Sequence, residues 1–114
     1  MQYMLMIYED ESQFGADKNN PQIKALIAQH MEFSKSLGAT RVGGAGLAAT
    51  ASATTVRRSG DEHIIHDGPF IEAREQLGGF YLIDVPDLDA ALEIAKKIPL
   101  LTSGSIEIRP VLGG

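Results

Sequence analysis

The chain contains no cysteine, which removes disulfide frameworks, thiolate metal sites and thiol nucleophiles from consideration and suits a reducing compartment. Positive charge is also short. Ten lysines and arginines stand against 15 aspartates and glutamates, a formal net charge of −5. The basic residues are scattered, with Arg57-Arg58 and Lys96-Lys97 the only adjacent pairs. Nucleic-acid binding needs a positive face that displaces counterions, so no nucleic-acid partner is expected. Long hydrophobic runs are missing as well. Met4-Leu5-Met6-Ile7 has no basic segment before it and meets Glu9 and Asp10 at once, so it is too short for a signal peptide or a membrane span. The expectation is a soluble cytoplasmic protein without membrane association.

What remains is ordinary globular material: 114 residues, 44% hydrophobic and 22% charged. That suits one domain over residues 1–114 with a real core. Tyr3 to Tyr8 is apolar throughout, as in a strand covered on both faces. Asn20-Pro21 opens a helix, because Asn caps free N–H groups and Pro suits the first helical position. The helix runs to Leu37 and stops at Gly38, with Ile23, Leu26, Ile27, Phe33 and Leu37 as its apolar stripe. His30 falls inside that stripe. An imidazole turned toward a core must find partners for its ring nitrogens, and it reads either as a satisfied core histidine or as a catalytic base.

Ala39 to Ala48, with Arg41 and Val42 among several glycines, reads as a weak, bent strand. Gly44 to Ala49 resembles a dinucleotide fingerprint but lacks the following helix that motif needs. Thr54–Arg58 and Glu62–His66 flank Ser59-Gly60-Asp61 as a hairpin. His63 and His66 lie three apart, hence on opposite strand faces, and no metal site is expected. Gly79 to Val85 is a second apolar strand. Asp87 caps a helix whose stripe is Leu88, Ala91, Leu92, Ala95 and Ile98, with Glu93 and Lys97 pairing on the wet side. Ser105 to Val111 alternates, Ile106 and Ile108 facing one way, Glu107 and Arg109 the other.

With the hairpin set aside, the order is β-α-β-β-α-β. This predicts an α+β, ferredoxin-like fold with an inserted hairpin, its two helices on one face of an antiparallel sheet. The other face has no helix to cover it although its strands are apolar. A homodimer closing sheet against sheet is therefore expected.

The residues richest in chemistry follow the hairpin. Asp67-Gly68-Pro69 is a tight-turn sequence, and Phe70, Glu72, Arg74 and Glu75 crowd in behind it. From Asp67 to Asp89 the chain resembles the DGPF family of the YCII-related group, within the dimeric α+β barrel proteins. The resemblance extends to Tyr3–Tyr8, His30, Gly43-Gly44, Thr54–Arg57, Tyr81 and Ile106–Pro110. Arg74 replaces the family's usual Lys, and Ala45 a usual Glu. The resemblance implies a dimeric α+β barrel. It also implies a catalytic pair of His30 and Asp67 and a regulatory or accessory role in association with an extracytoplasmic-function sigma factor; no cofactor is expected. Candidate substrate-binding residues are Arg41, Gly44, Phe70, Glu72, Arg74, Glu75 and Tyr81, acting on a small molecule whose identity the sequence does not give. Three functions stay open: a cofactor-free acid–base enzyme, a ligand-binding or regulatory dimer, and a dimer scaffold.

Overall fold

A computed structural model describes residues 1–14, 20–101 and 103–114. Strand β1 (Gln2–Glu9) alternates strictly, with Tyr3, Leu5, Ile7 and Glu9 buried. Helix α1 (Pro21–Leu37) begins where the Asn20 side chain accepts from the Gln22 N–H at 2.8 Å and ends at Gly38, φ 55°. Then come β2 (Arg41–Gly46), the hairpin strands β3 (Thr54–Ser59) and β4 (Glu62–Asp67), and β5 (Gln76–Asp84). Helix α2 (Leu88–Ala95) is capped by Asp87, which accepts from the Ala90 N–H at 2.9 Å, and β6 (Ser105–Pro110) follows.

The main sheet has the order β2-β5-β1-β6, with every neighbouring pair antiparallel. This is the ferredoxin-like α+β arrangement the sequence predicts. Period two sends Tyr3, Leu5 and Ile7 of β1 and Tyr81 and Ile83 of β5 to one face. There they meet Ala91, Ala95 and Ile98 of the α2 region, with Phe33 and Leu37 of α1 packed against them. Leu5 and Ile83 are wholly buried, each stabilising the fold by about 1.5–3 kcal/mol through removal from water. The opposite face pairs Met4 with Leu82 and Met6 with Phe80, flanked by Glu107 and Arg109. Neither helix covers it.

Close approach of β2 to β5 depends on glycine. A Cβ on Gly44 would stand 2.8 Å from the Phe80 carbonyl oxygen, closer than any real side chain tolerates. A bulge between Arg41 and Gly43 re-aims the strand just before that contact.

Three expectations need correcting. Ile27 does not join the partly buried stripe of α1; it is exposed, beside Met31. Leu88 and Leu92 are exposed too, because the eight-residue α2 meets the sheet through its alanines. Glu93 pairs with Lys96 at 3.0 Å, not with Lys97.

The hairpin forms a separate two-stranded sheet, and all of β4 is exposed. A compact monomer of 12.3 kDa exposes roughly 6,100 Å² with a radius of gyration of about 13 Å; this chain exposes 7952 Å² with a radius of 15.8 Å.

Core truncation should reflect this layout. Leu5→Ala is expected to cost about 2–5 kcal/mol in urea denaturation, whereas Leu112→Ala, at a fully exposed position, stays within about 0.5 kcal/mol. Equal costs at the two sites would contradict the placement of the core.

Candidate active site

A cleft of about 1480 Å³ opens between α1, the end of β1, β2 and the start of β5. Its walls include Ile27, His30 and Met31 from α1, Arg41 from β2 and Tyr81 from β5. His30 is in the cleft because it shares the sheet-facing side of α1 with Leu26 and Phe33, one turn away on either side, and Leu37, two turns on. Tyr81 is in the cleft because its parity on β5 turns it toward the helices. The two meet: His30 Nδ1 lies 2.8 Å from the Tyr81 hydroxyl, and their rings stack with centroids 6.0 Å apart. Phe33 packs edge-on against Tyr81 at 5.2 Å, which fixes the phenol ring.

The surroundings push these two groups in opposite directions. Burial lowers the His30 pKa, outweighing the Glu9 carboxylate and the Pro99 carbonyl, which pull it up. Burial raises the Tyr81 pKa, and the Arg41 charge offsets part of that. At neutral pH the pair is therefore a neutral imidazole beside a protonated phenol, a proton acceptor next to a proton donor.

Arg41 is held by its own strand, with Nη2 donating to the Gly44 carbonyl at 3.2 Å. Its Nε is buried with no hydrogen-bond partner among the described residues. A buried unsatisfied donor costs about 1–3 kcal/mol, and Arg41 lines the cleft, where its charge favours an anionic ligand. Gly44 does not line the cleft. Its carbonyl anchors Arg41, and a side chain there would press on Arg41 Nη2 at 3.1 Å and on the Tyr81 ring at 3.3 Å. Gly44 positions the site without facing a ligand.

The structure thus brings together His30, Arg41 and Tyr81 among the sequence-derived candidates. It does not bring Asp67 to them within the chain. Asp67 ends β4 opposite Thr54, is exposed, and makes no hydrogen bond to His30. Its turn is built as the sequence suggests: Gly68 has φ 108°, its N–H donates to the Ala53 carbonyl at 2.6 Å, and its carbonyl accepts from Thr55 Oγ1 at 2.7 Å. Phe70, Glu72, Arg74 and Glu75 also lie outside the cleft walls. Glu75 accepts from Ser105 Oγ at 3.3 Å, and the Arg74 charge reaches Asp10.

Two acidic residues were missed. Glu9 is buried at the cleft wall, accepts from the Leu101 N–H at 3.1 Å, and is the carboxylate whose charge reaches His30. Its parity with Tyr3, Leu5 and Ile7 was the available signal. Glu11 accepts from the Thr50 N–H at 3.2 Å and from the Thr50 hydroxyl, tying the segment after β1 to the segment after β2 at the cleft mouth. Among the described residues, no group of three or more histidines and carboxylates is placed to hold a metal ion, and no helix is long and apolar enough to cross a membrane.

The ferredoxin-like sheet with its two helices makes this a small α+β protein. Within it, the family model of the YCII-related domain matches residues 1–113. The chain belongs to the YCII-related family. It is 38% identical over 119 aligned residues to an uncharacterized protein of Rhizobium meliloti (strain 1021), covering 97% of this chain and 92% of that protein.

The site makes a pH prediction. The His30 pKa is depressed by folding, so the stability attached to its neutral ring is full above the usual value near 6.5 and is lost as pH falls through the folded value. In a ¹H–¹³C NMR titration, the His30 midpoint should fall below 6.5. A midpoint at or above that value would show a ring that burial does not govern.

Proposed function

We propose that the protein is a cofactor-independent acid–base enzyme acting on small organic anions, and that it works as a homodimer. The observation that carries the proposal is the 2.8 Å contact between His30 Nδ1 and the Tyr81 hydroxyl in a cleft wall shared with Arg41. On binding, the substrate carbonyl replaces Nδ1 as acceptor of the Tyr81 hydroxyl, and the freed Nδ1 lone pair of the neutral imidazole removes a proton from carbon next to that carbonyl. The C–H electron pair moves onto the carbonyl oxygen, and the Tyr81 hydroxyl and the Arg41 guanidinium stabilise the charge that develops there. Return of the proton to carbon or to oxygen completes an isomerisation; loss of a β-substituent makes it an elimination. The chain's own residues supply the acid, the base and the anion anchor, so the chemistry calls for no metal or organic cofactor. Asp67 contributes through the turn it builds.

The homodimer is supported by the helix-free face carrying Met4, Met6, Phe80 and Leu82, and by surface exposed well beyond a compact monomer's share. A sheet-on-sheet pairing would place about 10 Å between the two backbones and interdigitate those side chains. The same cleft without turnover would make the protein a ligand-sensing dimer, and one assay separates the two readings.

Wild-type protein is incubated in D₂O with small 2-oxo and 3-oxo acids, and exchange of the proton beside the carbonyl is followed by ¹H NMR. Catalysed exchange is expected with at least one acid, falling about 10²- to 10⁴-fold in His30→Ala and also in Tyr81→Phe. No exchange above buffer with any acid, alongside binding that His30→Ala leaves intact, would favour the sensing reading.

A further inference from the structure

The hairpin forms a sheet of its own, apart from the main one. An isolated two-stranded sheet is marginal in water, and this one carries apolar side chains on its open faces. Val56 and Ile65 stand directly opposite each other on one face, 59% and 68% exposed. Nothing in the chain's own core reaches them, for the core is built from β1, β5, α1 and α2.

The cleft shows the complementary shortage. At about 1480 Å³ it exceeds the roughly 300–1,000 Å³ of pockets that enclose a small molecule. Its outer wall is the unburied side of α1, where Ile27 is 54% and Met31 68% exposed, with Leu47 close to half exposed at the end of β2. Phe80 and Ala45, paired across β5 and β2 and turned to the helix-free face, also line it. The cleft therefore reaches the β2 edge of the sheet.

We propose that the hairpin is an intersubunit arm. The Val56–Ile65 face of one copy seats against Ile27, Met31 and Leu47 of a second copy, closing the mouth of that copy's cleft. Six-residue strands reach about 20 Å, twice the separation of stacked sheets, so the arm is long enough to pass the partner's sheet. The area agrees. The chain exposes roughly 1,800 Å² beyond a compact monomer of its mass, more than the roughly 800 Å² each partner buries in a standard interface and in the range of obligate dimers. A second copy is the occupant because every copy presents both halves, so a two-fold pairing satisfies two arms and two clefts at once. The inference rests on the dimer proposed above and is independent of the acid–base chemistry.

The lack of native cysteine makes the test direct. Ile65→Cys is combined in one chain with Ile27→Cys, with Met31→Cys or with Leu47→Cys, and each double variant is oxidised and run on a non-reducing gel. At least one pair should give a covalent dimer that dithiothreitol reverses, while Ile65→Cys combined with Leu112→Cys gives none. Separately, Val56→Ser/Ile65→Ser, a folded protein by circular dichroism, should raise the dimer dissociation constant at least tenfold in analytical ultracentrifugation. A wild-type protein that sediments as a monomer overturns the arm together with the dimer. A wild-type dimer in which no pair cross-links and the serine variant associates with unchanged affinity overturns the arm alone and leaves the sheet-on-sheet dimer standing.

Discussion

The contact between the Tyr81 hydroxyl and the His30 ring joins two parts of the molecule that little else connects. Tyr81 belongs to the core by burial and to the cleft by its hydroxyl. Helix α1 has no fully buried residue among its 17, so it rests on the sheet through partly buried Phe33 and Leu37 and through this polar contact. An amphipathic helix held so lightly leaves an apolar flank unfilled, and that flank is one wall of the cleft. Site and fold thus share a cause: the sheet face is saturated by α2 and its alanines near one end, and left open beside α1 at the other.

Electrostatics then give the cleft its chemical character. The imidazole and the phenol are both partly desolvated, and desolvation disfavours charge on each, which keeps one an acceptor and the other a donor. Glu9 and Arg41 bring opposite charges to the same wall. Arg41 is held by the Gly44 carbonyl, and its Nε has no partner among the described residues; a guanidinium fixed in this way suits the anion binding proposed above. The glycine-dependent approach of β2 to β5 at Gly44 sets that fork's position. A residue with no side chain thereby governs a site that it does not face.

Much of the fold was legible in the sequence because local signals agreed with one another. Asn20-Pro21 and Gly38 bound α1, Asp87 caps α2, and the apolar runs around Leu5 and Leu82 became the two central strands. The candidate site was legible only in part. His30 was visible through its place in a helical stripe, Arg41 as a cation able to hold an anion, and Tyr81 through the resemblance. The partnership of His30 with Tyr81 was not, since a contact across 51 positions leaves no periodic trace. Glu9 carried a signal in its strand parity that its neighbours in the following polar segment masked. The Asp67 turn drew attention because turn formers and charges cluster there, yet that clustering reports hairpin geometry. Ile27 shows the limit of stripe counting: a stripe is wider than the sheet it meets, and which edge stays wet depends on the crossing of helix and sheet.

The central claim is that His30 is a neutral base hydrogen-bonded through Nδ1 to Tyr81, and long-range ¹H–¹⁵N spectra of the histidine rings at pH 7.5 test it most directly. The account predicts an unprotonated His30 ring whose Nδ1 resonance moves on Tyr81→Phe while the resonances of His63 and His66 stay in place. A protonated ring, or an Nδ1 resonance indifferent to the loss of the hydroxyl, would contradict it.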